Sequence, residues 1–145
     1  MSNTRPPPAY KGRNLGIVAL VAIQVLVGFI HVVFGFWLLL APRAEPFALF
    51  GNGYFSSDIY SSYTIVFGLL TLIFSAGLWL EKRWSWVGTF AVLVFVIIAD
   101  SLTLLDLPSV PGIPKFAGFG EITYSILVII YMLQVHVRAK YKIQF

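Results

Sequence analysis

Apolar residues fill this chain in four long runs, and the few polar positions inside those runs recur at helical spacing. The first run, Leu15 to Ala41, has 27 residues and no Asp, Glu, Lys or Arg. At 1.5 Å per residue it exceeds the roughly 30 Å hydrocarbon core of a bilayer. Within it Gln24, Gly28, His31 and Gly35 step by four, three and four, so one helix face gathers two strongly polar side chains and two glycines. Such a face meets protein, not lipid, while Val32 falls on its flank. The second run, Ile59 to Leu80, is uncharged, and Ser61, Thr64, Gly68, Thr71 and Ser75 step along it by three and four. Small residues let two backbones approach, so the two stripes predict a close helix pair whose hydroxyls bond across the contact or back to their own carbonyls. The third run, Trp84 to Leu105, holds Asp100, and the fourth, about Phe116 to Val135, holds Glu121 and Tyr124.

The breaks between runs complete the outline. Pro42 and Pro46 stop the first helix, and Phe47, Phe50, Gly51, Asn52, Gly53, Tyr54 and Phe55 then read as an aromatic loop in the headgroup region, or more sharply as a ligand-capping lid. Glu81, Lys82 and Arg83 allow only a tight hairpin, and Pro108, Pro111 and Pro114 make the last connection irregular. The predicted fold is all-α: a single four-transmembrane-helix bundle over residues 15–135, with a Pro-rich polar tail at 1–14 and a basic tail at 136–145. A secretory leader is a poor reading of the first run, because the apolar part of a leader spans roughly 7 to 15 residues.

Composition agrees and charge adds orientation. Hydrophobic residues make up 59% of the chain and charged residues 11%, against roughly a quarter charged in soluble domains, and no cysteine is present to form a thiolate metal site or nucleophile. Arg5, Lys11, Arg13, Lys82, Arg83, Arg138, Lys140 and Lys142 fall on one side of this layout, eight against the two of Arg43 and Lys115. The positive-inside rule then places both termini in the cytoplasm and the aromatic loop outside. Arg13, Trp79, Lys82, Arg83, Trp84, Trp86, Arg138, Lys140 and Lys142 read as headgroup anchors at the cytoplasmic interface.

Gly77, Leu78 and Trp79 followed by Lys82, Arg83 and Trp84, with a last helix closing on Tyr131, Met132 and Leu133 before basic residues, give the chain a likeness in outline. It resembles a loose group of small four-span prokaryotic membrane proteins of unknown function. That resemblance implies four spans and assigns no site residue.

Phosphate loops, zincin helices and nucleophile elbows are absent from the sequence. The remaining chemistry is a polar set of His31, Asp100, Glu121 and Tyr124, with Thr64 or Thr103 nearby. Carboxylates beside a histidine inside a membrane can relay protons or hold a cation. The bland alternative is a histidine bonded across the bundle and two acids reaching interfacial water. His31 and His136 belong to opposite ends of the bundle, so a shared haem is not expected. The expected function is a non-catalytic accessory or structural subunit packing against a larger membrane complex or itself. The alternative is a small transporter, proton conduit or ligand sensor built on the polar set. No enzyme activity, cofactor or nucleic-acid partner is expected.

Overall fold

The computed structural model describes residues 14–40, 58–109 and 115–144, and the chain is all-helical there. Four helices are long and apolar enough to cross a membrane: α1 (Leu15–Leu40), α2 (Asp58–Trp79), α3 (Arg83–Leu104) and α4 (Lys115–Met132). A short α5 (Val135–Lys140) comes after them. The N-terminal tail with Arg13 and the aromatic loop lie outside the described residues. Asn14 is not part of a free tail, because its side-chain oxygen accepts the Gly16 N–H at 2.9 Å and caps α1.

α1 packs most closely on α2, α3 on α4, and α2 joins the two pairs. Close approach in the first pair has a local cause. A Cβ built on Gly68 would lie 2.7 Å from the Gly28 carbonyl oxygen, and one on Gly35 would lie 3.0 Å from that of Ser61. Any side chain there would meet backbone, which cannot swing aside. Val32 is not on a flank: its backbone nitrogen would lie 2.8 Å from the same Gly68 Cβ. Most hydroxyls of the α2 stripe bond back to their own helix, Thr64 to the Tyr60 carbonyl and Thr71 to that of Phe67. Ser75 reaches across, donating to Gln24 Oε1 at 3.3 Å as well as to the Thr71 carbonyl.

The start of α1, the α2–α3 hairpin and α5 share one end of the bundle, the α5 end. Glu81 turns the hairpin with φ 56°, and the N–H groups of Glu81 and Lys82 cap the carbonyls of Leu78 and Gly77. Two expectations are corrected at this end. The fourth helix stops at Met132, and residues 133–144 do not form a simple basic tail. Gln134 takes an extended conformation, α5 folds back, and Val137, Tyr141 and Ile143 are buried against Leu78, Met132 and Trp86. The pattern 137, 141, 143 is too short to show as a run, yet it buries three apolar side chains within seven residues. Trp86 is likewise not a headgroup anchor. It is 4% exposed, stacks on Phe90 at 5.4 Å and donates its indole N–H to the Met132 carbonyl. Its spacing explains this, because Trp86, Thr89, Leu93, Val96 and Asp100 step by three or four along the buried face of α3.

Candidate functional site

Helices α1, α3 and α4 bring polar side chains to the bundle interior in the half away from α5. On α1, His31 donates from Nδ1 to the Val27 carbonyl at 2.8 Å, which fixes the ring and leaves Nε2 facing Glu121 Oε1 of α4 at 3.6 Å. That separation is an ion-pair contact longer than a hydrogen bond. The edge of the imidazole meets Phe67 of α2, with ring centroids 4.8 Å apart. His31, Glu121, Tyr124 and Ser125 line one cavity of about 180 Å³, which Val27, Phe67, Val96 and Gly120 also line and which is partly open to the outside. There is room in it for several water molecules.

Asp100 stands on α3 and is fully buried. A Cβ on Gly118 of α4 would lie 3.4 Å from the Asp100 Cβ, an ordinary van der Waals contact, so α4 packs directly against this residue. Neither carboxyl oxygen has a hydrogen-bond partner among the described residues. The group stays within electrostatic reach of both His31 and Glu121. Buried polar groups are normally satisfied, and such orphans call for an ion, a water or a ligand.

Sequence reasoning missed three more of them. The hydroxyls of Ser125, Thr89 and Tyr63 are buried without a hydrogen-bond partner among the described residues, as is that of Tyr124. Ser125 lies four residues after Glu121, one turn along the same face, and that spacing could have found it. Thr89 lines a second void of about 10 Å³ with Gln24, Thr71 and Tyr124, a space for one water molecule. Tyr124 lines both spaces.

The other sequence-derived residues fall elsewhere. Thr103 donates to the Ala99 carbonyl and does not reach His31. Gln24, Gly28, Gly35, Ser61, Gly68, Thr71 and Ser75 serve the α1–α2 contact. Trp79, Lys82, Arg83 and Trp84 are exposed at the α5 end, as is Lys142, while Lys140 pairs with Glu81 at 3.1 Å and Arg138 is half-buried. His136 sits against Tyr131 in that same region. Among the described residues no group of three His, Cys, Asp or Glu side chains is arranged to hold a metal ion, so His31, Asp100 and Glu121 do not form a chelating triad.

No protein-family model matches the sequence, no curated protein matches it, and no solved structure matches the fold. The architecture defines the class: an all-helical chain with four helices able to span a membrane.

Proposed function

We propose that this is a small multi-pass membrane protein that makes and breaks no covalent bond and works by binding a cation, the proton included, at the cluster of His31, Asp100, Glu121, Tyr124 and Ser125. One observation carries the reading: fully buried Ser125, without a partner among the described residues, lines a cavity that already holds a carboxyl–imidazole pair, and fully buried Asp100, equally without a partner among them, lies within electrostatic reach of that pair. Two carboxyl groups against one imidazole, with no Lys or Arg between residues 84 and 114 or between 116 and 137, favour a positive guest. The eight-to-two division of basic residues supports a multi-pass orientation with the α5 end in the cytoplasm and the cluster in the outer half of a cell membrane. The apolar packing that seals the α5 end favours a sensor or a gated transporter over an open conduit.

Infrared difference spectra of the chain in lipid nanodiscs, taken with and without added cation (Na+, K+ or methylammonium), test this directly. Carboxyl bands that disappear in Glu121→Gln and in Asp100→Asn are the expected result; spectra unchanged by both substitutions would sink the reading. The accessory-subunit role is the second reading, favoured by a wide apolar groove between α2 and α3 that faces the lipid. Stoichiometric copurification of a larger membrane partner from native membranes is its check.

A further inference from the structure

That groove has a volume of about 570 Å³ and is lined mainly by Ile59, Val66, Leu70, Val92 and Phe95. Its inner wall is Tyr63 and Phe67, and Phe67 also lines the cavity of His31 and Glu121. A single buried ring therefore stands between an apolar groove and an acid-rich hollow that is itself partly open, Gly120 at its edge being exposed and the His31 and Glu121 side chains 19% and 20% exposed. Phe67 is held on both sides, against the His31 ring at 4.8 Å and parallel to Tyr63 at 6.4 Å. The Tyr63 hydroxyl is buried beside this partition without a partner among the described residues.

We infer that the site takes a membrane-soluble alkylamine, its ammonium head bound among Glu121, Tyr124 and Ser125 and its alkyl body lying in the α2–α3 groove, with Phe67 as the partition it passes. The inference rests on the preceding reading that the cluster binds a cation, and it adds the class of that cation and its route. Each part of such a molecule has a counterpart. An ammonium group offers three donors, and the cavity offers the Glu121 carboxylate with the Ser125 and Tyr124 oxygens as acceptors. The groove lining is hydrocarbon apart from Ser62 and the Tyr63 hydroxyl, which suits an alkyl chain and would not hold a bare inorganic ion. Charge complementarity selects the amine over a neutral alcohol or an anionic lipid, since no Lys or Arg lies between residues 84 and 114 or between 116 and 137.

The test uses the full chain in nanodiscs and two photoreactive probes that differ only in the head, dodecylamine and dodecanol each carrying a diazirine on the chain, with labelled peptides mapped by mass spectrometry. The amine should label residues 59–70 and 91–95 in preference to the other lipid-facing surfaces. Excess unlabelled dodecylamine, but not dodecanol, should suppress that labelling. Glu121→Gln should lower it about tenfold, the loss expected for one charge-assisted contact. The alcohol should label every lipid-facing helix without dependence on Glu121. If the carboxyl bands respond to added cation yet the amine labels like the alcohol, the amine assignment fails and the cation reading stands. If no Glu121-dependent carboxyl band is found, the parent reading fails with it. Protection of the groove from both probes, with α2 crosslinking to α3 of a second copy, would show a self-association surface and overturn the inference.

Discussion

The two ends of this bundle are built on opposite terms. At the α5 end Leu78, Met132 and Val137 are fully buried, and the polar atoms among them are paired: Tyr141 donates to the Leu78 carbonyl, Trp86 to that of Met132 and Ser85 to that of Lys82. Tyr131 and, deeper on α3, Thr89 are exceptions, their hydroxyls buried without a hydrogen-bond partner among the described residues, that of Tyr131 against Gly16. In the far half the polar atoms of Asp100, Tyr124, Ser125 and Tyr63 are buried and unpaired among the described residues, and space is left beside Tyr124 and Ser125. Close packing with satisfied polar groups is what stabilises a native state, and orphaned polar groups beside a cavity cost stability. The contrast teaches a division of labour: one end holds the helices in register, and the other keeps a strained polar site that a guest would relieve.

If that division is right, substitutions at the two ends should differ in sign as well as size. The largest effect belongs to Leu78→Ala, which opens a void where α2, α3, α4 and α5 meet and should cost about 2 to 5 kcal/mol. Thermal unfolding in detergent measures it, and a loss below about 1 kcal/mol would mean that α5 does not close a packed core. Next is the α1–α2 contact. Gly68→Leu drives a side chain into the Gly28 carbonyl and the Val32 backbone and should cost on the order of 1 to 3 kcal/mol. Gly120→Leu makes the internal comparison, because a Cβ there meets nothing within 4 Å, and it should be mild.

The sign should reverse in the far half. Ser125→Ala removes a buried hydroxyl that has no protein partner among the described residues and should stabilise the chain by about 1 kcal/mol. The same change should weaken amine labelling of the groove, because it deletes one acceptor for the ammonium head. Greater stability with unchanged labelling would detach Ser125 from the site, and lower stability would show that its hydroxyl is satisfied in the bilayer.

How much of this was legible in the sequence depends on range. The spans were readable because apolar runs and the charges between them are local signals: the run from Leu15 is helical over Leu15–Leu40, and the hairpin at Glu81, Lys82 and Arg83 turns where charge interrupts it. The stripe from Gln24 to Gly35 was readable because helical spacing alone puts those residues on one face. Depth in the third dimension was not. Trp86 was read by its residue type as an interfacial anchor, although its register with Leu93 and Asp100 already marked the buried face. The folding back of α5 depends on Tyr141 reaching a carbonyl 63 residues away, a contact that no local pattern encodes. Cavities such as the one beside Ser125 depend on what neighbouring helices leave unfilled, and composition carries no record of that.

The smallest effect probes the latch at the α5 end. Tyr141 is 1% exposed and donates its hydroxyl to the Leu78 carbonyl at 3.0 Å. Burial, and then the negative charge of Glu81, push the phenol from 10.0 up to about 12. A group raised in the folded state contributes its stability in full below its unfolded value and loses it as pH climbs through the folded one. The latch should therefore hold below pH 10.0 and release as pH passes about 12. Near neutral pH Tyr141→Phe should cost only about 0.5 to 1 kcal/mol, because the Leu78 carbonyl keeps a second donor, the Glu81 N–H at 3.0 Å. The Lys140–Glu81 pair, half open to solvent, adds little of its own. Hydrogen exchange of the α5 amides, followed in detergent across the alkaline range and corrected for the intrinsic rise in exchange rate, reads the release without requiring global unfolding. Wild type should lose α5 protection as the phenol ionises, while Tyr141→Phe should start slightly less protected and show no such step. A step that persists in Tyr141→Phe would place the switch in another group and leave Tyr141 as packing alone.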